Sequence, residues 1–208
     1  MTKPNIQASV KDEALIELRR EQMIKGAVQL FRQKGFPRTT TREIARAAGF
    51  SIGTLYEYIR TKDDVLDLVC DSIYNNVKAR LEQVITMEKG SLASLKLAIA
   101  DYFKVMDELQ EEVLIMYQEV RFLSKESLSY VIKKELEMVG MFENILKQCV
   151  RNGEFLLTEQ EITIIAHNIF VQGQMWGFRR WILQKLYTIE EYIELQTSYL
   201  LHGIHMNS

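Results

Sequence analysis

The sequence predicts an all-α fold, and three observations carry that prediction. The only two prolines are Pro4 and Pro37, so residues 63–208 contain none of the residue that breaks helices from within. Helix-opening signatures recur from just before that stretch to near its end: Thr61 with Asp64, Thr158 with Glu161, Thr188 with Glu191. No strand-like alternation, repeat or low-complexity tract is sustained anywhere.

Taken in order, residues 1–11 read as a flexible arm, with Pro4, Asn5 and Ser9 and no periodic pattern. A helix is expected from Asp12 to Lys34, with Ile24, Ala27, Leu30 and Phe31 on its inner face, and Gly35 ending it. Phe36-Pro37 then turns the chain toward Thr39 to Lys62, the stretch around which the rest is organised. Thr40 and Glu43 form a capping box, with Ile44 and Ala45 facing inward and Arg42 and Arg46 outward. Ala47-Ala48-Gly49-Phe50 supplies a tight turn that needs positive φ at Gly49. Ser51 caps a second helix, expected from Ile52 to Arg60, with Leu55 and Ile59 on its buried side. Thr54, Tyr56, Tyr58 and the open backbone at Gly53 are left outside. Two short helices joined by a glycine turn form the helix-turn-helix that lays its second helix in the DNA major groove.

Beyond Lys62, helices are expected from the Thr61–Asp64 box to about Met87, from Leu92 to Leu109 and from Glu111 to Leu123. Three more are expected from Glu126 to Arg151, from Glu159 to about Lys185, and from Ile189 to Ile204. The Glu159 helix is apolar over most of its circumference, with Ile162, Ala166, Ile169 and Phe170 on one face and Ile164, Val171, Met175, Trp176 and Phe178 extending it. Such a helix is buried on more than one side. The last helix carries its own stripe of Tyr192, Ile193, Gln196, Tyr199, Leu200 and Gly203. A subunit interface and a thick monomer core both account for this surplus of apolar surface.

Charge divides the chain. Residues 1–62 hold 12 Lys/Arg against 6 Asp/Glu, whereas residues 63–208 hold 14 against 22. A basic module joined to an acidic one points to phosphate recognition by the first alone. Cys70 and Cys149 have no metal-site spacing and read as buried small hydrophobes of a reducing cytoplasm. The N-terminus has no apolar signal core, and no uncharged run approaches a membrane span, so a cytoplasmic location is expected.

With these residues in view, the chain resembles the TetR family of bacterial transcriptional regulators. The matching segments are IKGAVQLFRQKGF (24–36) and TTTREIARAAGFSIGTLYEYIRTKDDVL (39–66), followed by a long helix. Ile59 stands where the family usually has Phe, which keeps an apolar wedge. The resemblance implies a homodimer, with a DNA-binding domain over 12–61 and a ligand-binding and dimerisation domain over 62–208. It places Thr41 and Arg42 at the start of the first helix of the motif and Ser51, Ile52, Gly53, Thr54, Tyr56 and Tyr58 on the reader. Lys62 is similar to the family's phosphate anchor. Arg42 can fork onto guanine, and Tyr56 and Tyr58 can reach phosphates.

The implied partners are an operator duplex and a small apolar or amphipathic effector, with no cofactor and no metal. Candidate effector contacts are Tyr102, Phe103 and Met106, then Met116, Tyr117 and Arg121, then Met141 and Phe142. Met175, Trp176, Phe178, Arg179 and Arg180 complete the set. Nine methionines and 10% aromatic residues suit an adaptable greasy cavity. Arg179-Arg180 reads either as a receiver for a carboxylate or the phosphates of an acyl-coenzyme A, or as a snorkelling or ion-paired edge. The pattern also looks like the family's fatty-acid and acyl-CoA responsive members. The alternatives keep the fold: an activator, or a regulator answering to a protein or to oxidation at Cys70. Catalysis is not expected, because only His167, His202 and His205 are present and no nucleophile, metal or phosphate-loop motif accompanies them.

Overall fold

The computed structural model describes residues 13–87 and 90–205, so the expected arm at 1–11 lies outside the described residues. Among those residues there are ten α-helices and no strand. They are α1 (Glu13–Lys34), α2 (Thr41–Ala47), α3 (Ile52–Tyr56), α4 (Asp63–Met87) and α5 (Leu92–Glu108). Then come α6 (Gln110–Glu119), a 3-10 turn over Val120–Phe122, α7 (Lys125–Arg151), α8 (Glu159–Phe178), α9 (Arg180–Leu186) and α10 (Ile189–His205).

Most boundaries follow the local chemistry of the caps. Thr40, Ser51, Ser91 and Thr158 each sit in extended backbone and accept the amide three residues on, at Glu43, Thr54, Ser94 and Glu161. Thr188 does the same for Glu191 at 3.2 Å, while the Thr188 amide donates to Glu191 at 2.8 Å. Two boundaries differ from expectation. The reader helix stops at Tyr56 rather than running to Arg60, because the amides of Glu57 and Tyr58 bond three residues back and tighten the chain. The long apolar helix breaks at Arg179, whose φ of −107° and ψ of 19° leave the helical region. The Arg179 carbonyl then accepts from Ile182 and Leu183 to start α9.

The chain forms two compact units. Of the described residues, the first comprises 13–72 and 114–134: α1, α2, α3, the start of α4, the end of α6 and the start of α7. Its core includes Met23, Ala27, Phe31, Ile44, Leu55, Ile59 and Leu66. The second comprises 73–87, 90–113 and 135–205, in which α5 packs on α8 and α10. Its centre is a set of rings around Tyr102, with centroids 5.2 Å from Phe142, 5.8 Å from Phe170 and 6.0 Å from Phe103. The Tyr102 hydroxyl donates to the Phe170 carbonyl at 3.0 Å, so this ring is fixed at both ends.

Gly173 lies directly against that ring: a methyl there would meet Tyr102 and Phe103. Gly173→Ala is therefore expected to overpack the core and lower unfolding free energy by about 1–3 kcal/mol, measured by urea denaturation.

Candidate DNA-reading face and effector core

The helix-turn-helix is held by bonds that leave its outer face free. Glu43 accepts from the Thr40 amide at 3.0 Å and the Thr40 hydroxyl at 2.8 Å, and pairs with Lys34 at 2.5 Å. The Lys34 contact first, and the Thr40 bonds next, hold the Glu43 carboxyl down at about 2. Gly49 adopts φ 79°, the conformation the turn demands, and the Phe50 amide returns to the Ala45 carbonyl at 2.8 Å. On the outside, Thr41 Oγ1 and Tyr56 Oη lie 3.1 Å apart, a hydroxyl pair that bridges α2 to α3. Arg42, Ser51 and Gly53 are exposed, Ile52 and Thr54 half-buried, and Tyr56 is 52% exposed. Ser51 Oγ and Thr54 Oγ1 are 3.0 Å apart, so the cap orients the reader's own hydroxyl.

Two sequence assignments change here. Tyr58 is 2% exposed, not an outward phosphate contact: α3 ends two residues earlier, and the tightened turn points the ring into the core beside Ile59. Lys62 has an internal partner that sequence reading missed. Its ammonium donates to the Phe36 carbonyl at 2.6 Å and lies 4.1 Å from the Phe36 ring centroid, and burial lowers its pKa. It ties the start of α4 to the α1–α2 turn.

In the second unit the expected effector residues divide. Tyr102, Phe103, Met106, Phe142 and Trp176 converge and are all buried; Met141, Met175 and Phe178 are half-buried. Trp176 Nε1 donates to Asp107 at 2.6 Å, and its ring lies 5.0 Å from Tyr192. Arg180 pairs with Glu111 at 2.5 Å, whereas Arg179 is exposed over the Trp181 ring at 5.1 Å. Met116, Tyr117 and Arg121 belong to the first unit instead. Met116 is buried, but Tyr117 is 66% exposed on the outer face of α6, and Arg121 projects from the 3-10 turn over Phe122. Neither of those two belongs with the ring cluster.

The stripe expected on α10 also divides. Tyr192 is 3% exposed and donates to the Gln172 carbonyl at 2.6 Å, so it serves its own unit's core. Tyr199, Leu200 and Gly203 instead line an open groove of about 350 Å³ with Ile164, Ile165 and Asn168 of α8. Ile164 is 57% exposed and Tyr199 68%.

A cap-locked helix-turn-helix with an exposed polar face, joined to a helical unit with an aromatic core, defines a DNA-binding transcriptional regulator. Residues 23–69 match the model for bacterial regulatory proteins of the tetR family, and residues 88–176 match that for the tetracyclin repressor-like C-terminal domain. The chain belongs to the TetR family. It is 25% identical to the regulator HbdR of Aromatoleum sp. (strain CIB), over 91% of this chain and 82% of that protein. It is 24% identical to the repressor KstR2 of Rhodococcus jostii (strain RHA1), over 78% and 79%. The fold is also that of AibR, solved with isovaleryl coenzyme A and operator DNA: TM-score 0.70, 16% identity, covering 87% of this chain and 97% of that one.

Arg42→Ala is expected to cost about 1–3 kcal/mol on a selected duplex and little on random DNA, measured by filter binding. Lys62→Ala should weaken both equally and also lower the urea midpoint, which a lysine that met phosphate alone would leave unchanged. Because Glu43 is held below its ordinary value, its contribution is complete above about pH 4.5 and lost as pH falls toward 2. Acid unfolding followed by circular dichroism should therefore be shallower in Glu43→Gln over that range.

Proposed function

We propose that the protein is a cytoplasmic homodimeric repressor, released from its operator by an amphipathic acyl compound of the fatty-acid or acyl-coenzyme A class. Residues 12–61 form its DNA-binding domain and residues 62–208 its effector and dimerisation domain. The observation that carries the effector class is the aromatic and methionine cluster around Tyr102, Met106 and Trp176. A flexible Met side chain and stacked rings can part for an acyl chain, and the Arg180–Glu111 pair offers a cation that an anionic head group can recruit. The acyl-coenzyme A bound by AibR supports the same chemistry. Among the described residues no helix is long and apolar enough to cross a membrane.

The groove between α8 and α10 supports the dimer, since a second copy would cover Ile164 and Tyr199. Two readers must then lie about 34–36 Å apart to meet half-sites one turn apart. An effector that moves the population from 1:99 to 99:1 must prefer the released state by about 5.5 kcal/mol. An oxidation switch finds less support: Cys70 and Cys149 are both buried, and burial pushes the Cys149 thiol up to about 11.

The test is a native mass spectrum of the purified protein, followed by titration of a selected duplex with acyl-coenzyme A esters and free fatty acids of graded length. A dimer that carries an acyl compound, or is released by one narrow range of chain length, is the expected outcome. A dimer that stays on DNA through the whole series overturns the effector assignment, and a monomer overturns the two-half-site arrangement.

A further inference from the structure

Three aspartates on α4 stand one turn apart, and each accepts a bond from a different residue of one short segment. Asp63 accepts from the Ser124 amide at 3.0 Å. Asp67 accepts from the Ser127 hydroxyl at 3.0 Å. Asp71 accepts from the Tyr130 hydroxyl. Spacing of four on α4 against three on the partner strings the contacts along one seam, with the two helices running side by side in the same direction. All six residues lie in the first unit, with the reader. The seam starts where α4 leaves the helix-turn-helix: Asp64 accepts the amides of Arg60 at 2.6 Å and Thr61 at 3.1 Å.

The middle rung differs from the other two. Asp67 is 1% exposed, and its Oδ1 has no partner. A buried carboxylate with one donor and one orphan oxygen is costly as an anion and far less so as an acid. Its charged neighbours make it worse. These are Asp63, Asp64 and Asp71 on its own helix, while α7 presents the uncharged Ser127 and Tyr130, with Lys134 Nζ 5.6 Å from the centroid of the Tyr130 ring. No described cation is paired with Asp67. Burial above all, and then these carboxylates against the pull of Ser127, push its carboxyl up to about 7.

We propose that Asp63, Asp67 and Asp71 are positioning residues for DNA binding, which hold α4 to the start of α7, and that the proton on Asp67 sets how firmly they hold. The proposal rests on the operator-binding reading above. With Asp67 neutral the seam keeps its three bonds without a buried charge between them. When Asp67 ionises, it stands as a buried charge and repels Asp63 and Asp71 on either side, a strain along the seam that its stronger bond from Ser127 offsets only in part. A raised carboxyl favours the held form at low pH, and the advantage is lost as pH rises through about 7. α4 and α7 both continue into the second unit, and α7 carries Phe142 of its ring cluster.

The experiment compares the wild-type protein with Asp67→Asn, Ser127→Ala and Ser127→Thr, reading affinity for a duplex selected from a random library at pH 6 and pH 8. The wild-type affinity is expected to fall about five- to tenfold across that interval. Asp67→Asn, an uncharged isostere, should stay near the wild-type pH 6 value at both. Ser127→Ala should weaken binding at both, and Ser127→Thr should restore it. A wild-type profile that is flat, or an Asp67→Asn slope as steep as the wild-type one, overturns the proposal. Carbon-13 titration of the Asp67 carboxyl in the DNA-free protein separates the two readings. If no duplex is bound at either pH, the operator-binding reading fails, and a midpoint at the ordinary carboxylate value would overturn the carboxylate seam as well. A midpoint near 7 that disappears with Asp67→Asn upholds the seam independently of DNA.

Discussion

Asp64 is the residue on which the reading end of the molecule depends. Its carboxylate gathers the amides of Arg60 and Thr61 and the Thr61 hydroxyl, so the first turn of α4 is tied to the last residues after the reader helix. That knot closes the segment that follows α3, in which Tyr58 and Ile59 lie inside while Tyr56 lies outside. Lys62 adds a second strand to the same knot by reaching back to the Phe36 carbonyl. A reader helix of five residues is too short to be stable through its own hydrogen bonds, so its orientation comes from these junctions.

The parts legible in the sequence are those whose partners are near in the chain. The caps at Thr40, Ser51, Ser91 and Thr158 involve residues three apart, and the positive φ at Gly49 follows from residue type alone. The inward placement of Tyr58 was not legible, because a helix extended in register to Arg60 projects it outward. The partner of Lys62 lies 26 residues away and that of Asp67 60 residues away, so no local pattern announces either bond. The break at Arg179 has no proline or capping residue of its own. It is supported from outside by Glu111 on Arg180 and Gln110 on Gln184, contacts that span 69 and 74 residues. Among the effector candidates, a greasy stripe picked out residues that prove buried on α5 and α8, but it could not separate Tyr117 from Met116, which are adjacent in sequence and opposite in exposure.

The second unit uses its polar groups sparingly. The hydroxyls of Tyr102 and Tyr192 and the indole of Trp176 each find one acceptor: two backbone carbonyls and one carboxylate. Each ring thus buries a large apolar area while its one polar group keeps a partner. The two sides of α8 then have separate tasks. Ala166, Ile169, Phe170 and Gly173 close the core, while Ile164 and Val171 remain uncovered.

The break at Arg179 also gives the molecule two optical reporters in unlike settings. Trp176 is 3% exposed and bonded to Asp107, whereas Trp181, just past the break, is 63% exposed beneath the Arg179 guanidinium. These are the chain's only two tryptophans, so its intrinsic emission is the sum of a shielded indole and an open one. A soluble quencher reaches the second and not the first. Any event that opens the aromatic core therefore registers as a gain in quenchable light, without a label and without DNA.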